Sequence, residues 1–505
     1  MALVDWIIVA VYAVTTLGLG WHFGRQQKST KEYFIGSGRM NPTLIGVSLF
    51  ATLLSTITYL ALPGETIGKG PVYLANFIVY PLVFLVLAYI VLPVYMRQKK
   101  VTSAYELLEK QLGVSIRLLG VVMFLMLRLV WMSLLIFMTA KAIAVMTGVD
   151  EKWVPLIVVI TGVFAVTYTS LGGLRAVVIT DLLQTILLYG GALLVIGTVT
   201  WKMGGLGWFP TEWQGDIWES QPIISADPST RITLVGTLLS VFLWMVCTAA
   251  GDQVSVQRYM ATENATTARK AMTIWLIVGC IVGVTLGLVG FALLGYFQAN
   301  PELLPSDITL KDNADKIFPF FIAEHLPPVV TGLVVSGLFA AAMSSVDSGV
   351  NSITAVTMTD FLERFGHKPE TDDQHVRFAR VMAVVIGVIV VGLSSVIGLI
   401  PGNFMAVTNK TVNLLVVPIS LLFFFALFVP FSNTKGVWLG AIASITTAVL
   451  IGYCGQIFGQ IPGEGGTLID PISFQWISPA ALLVGIGVGL AACKIFAISS
   501  KHNDH

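Results

Sequence analysis

The sequence predicts an all-α integral membrane protein with about thirteen transmembrane helices. Three observations lead there. Hydrophobic residues fill 55% of the 505 positions and charged residues only 11%, whereas a soluble chain carries about a quarter charged. Apolar runs of about 20 residues, enough to span a hydrocarbon core of about 30 Å, recur from end to end. Inside three of these runs the apolar pattern is broken by polar and charged residues, which within a membrane mark function.

The runs, numbered here 0 to 12, cover 4–23, 44–64, 71–96, 117–147, 154–170, 173–202, 232–250, 268–298, 328–358, 376–400, 403–429, 435–458 and 478–498. Span 0 starts behind Asp5 without a basic leader or a small-residue cleavage site, so it reads as a retained helix and not a signal peptide. Span 1 crowds Thr52, Ser55, Thr56 and Thr58 before Pro63-Gly64, and span 2 contains Asn76. Span 3 holds Arg128 and, near its end, Lys141, which can snorkel to the interface. Span 5 holds Asp181 and Gln184, span 8 the stretch "FAAAMSSVDSGVNS", and span 10 Lys410. The remaining spans are apolar runs separated by turn residues and charges. Two long connections, 203–231 and 299–327, either cover a vestibule in part or serve only as connectors.

Charge sets the orientation. One set of alternate loops holds 20 of the 29 basic residues, Arg258 among them, and the opposite set six. The positive-inside rule then places the N-terminus outside and the C-terminus in the cytoplasm, in a multi-pass plasma (inner) membrane protein.

The three irregular spans suggest ligand chemistry. Hydroxyls packed beside a proline in span 1 predict a helix that unwinds and frees carbonyls, tolerated only where they line a protein-enclosed cavity; packing contacts between helices are the alternative. Asp181 and Gln184 share one face of span 5, for an ion or for a structural pair. In span 8, Ala341, Ser344, Ser345, Ser348 and Ser352 form one stripe flanked by Asp347 and Asn351. Hard oxygen ligands of this kind suit an alkali cation better than a transition metal.

Other classes fit poorly. A net charge of +1 gives no field for nucleic acid. Cys247, Cys280, Cys454 and Cys493 are far apart in apolar segments and read as small buried hydrophobes. The six histidines lie outside the spans or at their ends, with no nucleophile–base pair and no P-loop. An enzyme or an ATP-driven pump is therefore not indicated, and coupling to an ion gradient remains.

The pieces "FATLLSTITYLALPG", "VTSAYELLE", "YTSLGGLRAVVITDLLQ", "GDQVSVQRYMA" and "AAAMSSVDSGVNS" resemble, in order, the sodium:solute symporter family. The resemblance implies a leucine-transporter-like core of two inverted five-helix repeats, spans 1–5 and 6–10, with helices 1 and 6 broken at the midplane. It implies a primary sodium site on Ala51, Leu54, Ala341, Ser344 and Ser345. It also implies a second sodium site on Asp181, Ser344, Asp347 and Ser348, where Asp347 stands in place of the Ser or Thr of several members. Glucose-type members carry Asn and His where this chain has Leu53 and Thr58, and a span 7 lysine that it lacks. Sialic acid-type members share Ser55, Thr58 and Arg128, although a threonine they use is Leu53 here. Arg128 would grip a carboxylate bidentately or neutralise a buried acid. Thr52, Asn76 and Lys410 complete the candidate solute-binding residues; Lys410 would reach the cavity, close an outer gate or snorkel.

The expected protein is a monomeric sodium-coupled symporter importing a small polar solute, an organic acid, acidic sugar or sugar, by alternating access. Its parts are 1–43, a first repeat 44–202, an extracellular loop 203–231, a second repeat 232–429, and two peripheral C-terminal helices in 430–505. The alternatives are a proton-coupled carrier of the same fold, a neutral sugar symporter, and a channel or sensor.

Overall fold

The computed structural model describes residues 1–25, 30–36, 39–97, 103–306, 308–311, 313–366, 371–397, 404–463 and 468–503. Among them, eleven helices are long and apolar enough to cross a membrane, and the bent pair Pro42–Leu53 and Thr56–Gly68 makes a twelfth. The shorter apolar helix Val154–Ser170 takes the place of span 4. The expected end of span 9 and start of span 10, and Lys28, Lys99, Lys100 and Lys368, lie outside the described residues.

Span 1 is broken where its hydroxyls crowd, not at its proline. Asn41 accepts a hydrogen bond from the Thr43 amide (2.8 Å) and Pro42 opens the first half, a position where no amide donor is needed. Leu54 and Ser55 are extended, and the halves meet at 66°. Ser55 then caps the second half by accepting from the Thr58 amide (3.2 Å). The carbonyls ending the first half are left without helical donors, and Pro63 lies inside the second half.

Span 6 breaks in the same manner. Leu234–Gly251 stops at Asp252, which is extended and accepts from the Val254 amide (2.9 Å), starting the short helix Gln253–Met260. The sequence places span 6 at 232–250 with Arg258 in a cytoplasmic loop; the structure corrects this. Eight residues with a polar face are too short to register as an apolar run, so the second half of the broken helix is invisible to hydropathy. Spans 4 and 5 meet at Gly173, whose φ of 58° is readily adopted only by glycine.

Span 8 runs through Val330–Val356 and is the most enclosed of the membrane helices. Its first turn is capped from span 0. Asp5, 1% exposed, accepts from the Val329 amide (2.9 Å) and the Gly332 amide (3.0 Å) and binds the Ala2 amide (2.7 Å).

The connection 203–231 packs onto the end of span 1. The Trp218 indole donates to the Ile67 carbonyl (2.9 Å), and Arg231 grips Glu65 with two bonds of 2.5 and 2.9 Å. Helix Ala314–Glu324, from the other long connection, starts against Gly64, where a side chain would strike its backbone, and Gly68, where one would strike the Ala314 methyl and the Lys311 carbonyl just before it. At the opposite end of the molecule, Arg117 joins Asp360 (2.6 Å) and Glu109 (2.5 Å), and Arg364 joins Glu109 (2.9 Å). Burial raises the Glu109 carboxyl, but the hydrogen bonds and charges of Arg117 and Arg364 outweigh it and hold the group below its ordinary range.

Spans 11 and 12 pack together at Gly440, which a Cβ would drive into Gly485 and Gly489. The expected span 11 ends early, at Gly452, and Cys454–Phe458 is a separate short helix before the hairpin Ile461–Pro462 and Leu468–Ile469. All four cysteines are free.

Candidate functional site

The break in span 1 lies against the serine stripe of span 8. The Ser345 hydroxyl donates to the Thr52 carbonyl (2.9 Å), and the Thr56 hydroxyl donates to the Leu338 carbonyl (3.4 Å). Thr139 of span 3 donates to Thr56 (3.2 Å). Ala51, Ala341, Ser344 and Ser345 are all buried here. A freed carbonyl meeting the Ser345 hydroxyl, with the adjacent Ser344 hydroxyl turned to Asp181, brings oxygen donors together of the kind that fits a hard monovalent cation. Among the described residues no group of three His, Cys, Asp or Glu is arranged for a metal ion.

Beside this contact is a second, charged cluster. Asp181 accepts from Ser48 (2.5 Å) and from Ser344. Asp347 accepts from the Tyr168 hydroxyl (2.7 Å) and from Ser348 (3.4 Å). The residues expected for a second cation thus come together, and Arg258 comes with them. Its Nη2 donates to Thr52 Oγ1 and Ser348 Oγ, each at 2.5 Å, and lies 3.5 Å from Asp181. Its Nε donates to Ser48 Oγ (2.9 Å), and Nη1 to the Val254 carbonyl (3.0 Å). Arg258 and both carboxylates have no measurable exposure. Sequence reasoning missed Arg258 as a site residue. The signal was present in "GDQVSVQRYMA", where Asp252 starts a helix that carries Arg258 inward.

On the other side of the break lies a cavity of about 200 Å³. Leu53, Leu54 and Thr58 of span 1 form one wall, Asn76 another, and Trp131, Trp244 and Trp275 supply aromatic faces. Among the described residues, the buried Asn76 Oδ1 and Thr237 Oγ1 have no protein partner. Such groups are uncommon in folded proteins and point to a ligand or water.

The expected solute-binding residues divide. Thr58 and Asn76 line the cavity. Ser55 stands behind Thr58, 3.3 Å from its hydroxyl. Thr52 does not face the cavity, because its hydroxyl is taken by Arg258 and by Ser348 at 2.8 Å. Arg128 is bound through Nε (3.3 Å) and Nη2 to the Asp252 carboxylate, with both side chains 5% exposed. A buried guanidinium requires a counter-charge, and the break in span 6 supplies it. Lys410 is likewise committed, to Asp470 beside the C-terminal hairpin, where both side chains are 20% exposed, so it neither reaches the cavity nor snorkels freely.

A family model described as "Sodium:solute symporter family" matches residues 33–444. The chain is 30% identical over 480 residues to the sodium/sialic acid symporter NanT of Aliivibrio fischeri, covering 92% of this chain and 91% of that protein. It is 29% identical to the sodium/sialic acid symporter SiaT of Proteus mirabilis, covering 95% and 96%. The sodium-dependent multivitamin transporter of Oryctolagus cuniculus is 28% identical, covering 96% and 75%. Among solved structures, a sodium-coupled sialic acid symporter in a substrate-bound outward-open state superposes with a TM-score of 0.84 at 24% identity, over 98% of both chains. The fold is that of the leucine-transporter-like symporters, with an inverted-repeat core and spans 1 and 6 broken.

Proposed function

Because the chain belongs to the sodium:solute symporter family, we propose that it imports an organic acid or an acidic sugar of the sialic acid kind by sodium-coupled alternating access. One observation carries the sodium part of this reading: Ser345 of span 8 is joined to the Thr52 carbonyl in the break of span 1. A sodium ion held by the carbonyls of Ala51, Leu54 and Ala341 and the hydroxyls of Ser344 and Ser345 would tie these spans together. Leu54 also lines the cavity, so fixing the break shapes the wall that the solute meets. Loss of the ion to the cytoplasm frees span 8 from that wall and releases the solute. By linkage, sodium and solute then strengthen each other's binding by the same factor.

The cavity supports a polar solute with a ring or a hydrocarbon body. Tryptophan faces take apolar surface while Thr58, Asn76 and Thr237 offer hydrogen bonds. Relatives that transport sialic acid at 30% and 29% identity support an acidic sugar. A solute carboxylate would compete with Asp252 for Arg128, which lies one turn from the cavity residue Trp131 on span 3. The excess of basic residues on one set of loops supports an outside N-terminus and a cytoplasmic C-terminus in the plasma membrane.

The test is uptake and thermal stabilisation across acidic sugars, neutral sugars, carboxylates and amino acids, in sodium or in choline. Sodium-dependent uptake of an acidic solute is expected. Uptake that survives complete sodium replacement but collapses with an uncoupler would instead establish proton coupling.

A further inference from the structure

We propose that the turn Phe474–Trp476, which opens span 12, belongs to the solute site: Phe474 meets the solute beside the connection 203–231, and Gln475 positions it. The inference rests on the acidic-solute reading above and deepens it by adding a residue that sets specificity.

An α-helix begins with amides that have no partner inside it. At the start of span 6 the first four, Thr233 to Gly236, are all accounted for. The Leu234 and Val235 amides donate to the Pro222 and Ile223 carbonyls, each at 3.1 Å, and the Gly236 amide donates to the Thr233 hydroxyl at 3.0 Å. The Thr233 amide donates to Gln475 Oε1 (3.0 Å), which lies 242 positions later in the chain. The Thr233 hydroxyl donates to the same oxygen (3.4 Å), and Gln475 Nε2 donates to the Thr230 carbonyl (3.1 Å). Both polar ends of a side chain only 2% exposed are thus used, where an unpaired amide would be costly. Gly236 leaves the room: a Cβ there would come within 2.1 Å of Gln475 Oε1.

The neighbouring residues fix the same turn. The Ser473 amide donates to the Pro228 carbonyl (2.8 Å), and its hydroxyl donates to the Arg231 carbonyl. Arg231 in turn holds Glu65, in the second half of span 1. Its guanidinium carbon lies 5.8 Å from the centre of the Phe474 ring, within reach of a cation–π contact. One clamp therefore ties the second half of span 1 and the start of span 6 to span 12.

Phe474 and Gln475 both line the cavity, as do Ile232 and Thr237. Phe474 is half-buried and has no polar atom. What it offers is an apolar face for the hydrocarbon part of a solute whose polar groups Thr237 and Asn76 can bind. Alternating access moves parts of the core about the site. A displacement of the start of span 6 carries Phe474 with it, because Gln475 and Ser473 bind that start and the chain leading to it. The cavity wall thus keeps its aromatic face while the broken helices move.

The test separates solute from sodium. Tritiated sialic acid and tritiated lactate are titrated in saturating sodium onto the purified full-length chain in lipid nanodiscs. The proteins are the wild type, Phe474→Ala, Gln475→Leu and the double variant, and sodium alone is followed by thermal stabilisation. Each single variant is expected to weaken binding of the solute that the wild type takes by about tenfold. The sodium midpoint should stay within about twofold of wild type, since neither side chain meets the ion. Because Gln475 acts through Phe474, the double variant should lose no more than the weaker single one, whereas independent effects would multiply to about a hundredfold. Unchanged solute binding in Phe474→Ala overturns the assignment, as do independent losses or a sodium midpoint that rises as far as the solute constant. If Gln475→Leu fails to fold, Phe474→Leu and Phe474→Ala decide, with the smaller loss expected for Leu and unchanged binding in both overturning it. A wild type that binds neither solute fails the acidic-solute reading and this assignment with it, an outcome distinct from wild-type binding that Phe474→Ala leaves intact.

Discussion

Ser345 donates its hydroxyl hydrogen to the backbone carbonyl of Thr52 across 2.9 Å. That bond joins the most enclosed helix of the molecule to a carbonyl that helix geometry has left without a donor. Ser345→Ala removes the bond and, under the proposed function, a sodium-ligating oxygen. Stability without sodium is expected to fall by about 1 kcal/mol. The sodium concentration giving half-maximal thermal stabilisation is expected to rise by about tenfold or more, since losing about 1.4 kcal/mol is a factor of ten. An unchanged sodium midpoint would remove Ser345 from the ion site.

Asn76 lines the cavity with an oxygen that has no partner among the described residues. Asn76→Leu is expected to weaken solute binding about tenfold, within the range of about 1–3 kcal/mol for a lost polar contact in a dry site. Sodium binding without solute should stay unchanged. Calorimetric titration of each ligand separates the two, and an equal effect on both would make Asn76 a structural residue.

Arg128 and Asp252 neutralise each other with about 5% exposure. Arg128→Ala leaves a buried carboxylate alone and is expected to cost about 3–5 kcal/mol, with much of that recovered in Arg128→Met combined with Asp252→Leu. Chemical unfolding would measure both. The single variant also tests the solute assignment: if its carboxylate binding equals that of the wild type, the anionic-substrate reading fails.

The Glu109 carboxyl is held below its ordinary range by Arg117 and Arg364, against the opposing effect of burial. A carboxyl depressed on folding adds stability that is fully present above the unfolded value of about 4.3 and is lost as pH falls through the lower folded value. Glu109→Gln should therefore lower stability at neutral pH and flatten the acid limb of the stability profile. Melting temperatures measured from pH 7 to pH 3 would show it, and parallel profiles would exclude the mechanism.

The sequence reading succeeded where one strong physical signal acts alone. Membrane spans follow from apolar length, and the break in span 1 follows from Thr52, Ser55, Thr56 and Thr58. The stripe from Ala341 to Ser352 follows from helical period. It failed where two weak signals must be combined. Gln253–Met260 has eight residues and a polar face, so in sequence it reads as a loop and Arg258 as a loop charge. Arg128 and Lys410 were visible as anomalies, but their partners Asp252 and Asp470 are distant in sequence, and only the folded chain pairs them. Thr52 reads as a solute-side residue in sequence because one-dimensional spacing does not tell which side of a broken helix a hydroxyl faces.

The capping of span 8 by Asp5 has a practical consequence for handling this protein. Span 0 precedes the broken span 1 in the chain, yet its fifth residue provides the acceptor for two amides at the start of span 8. Affinity tags or truncations at the amino end therefore act directly on the first turn of span 8. A chain shortened past Asp5 would need another acceptor at residues 329 and 332, and a purification strategy that leaves the first turn of span 0 intact is the appropriate starting point.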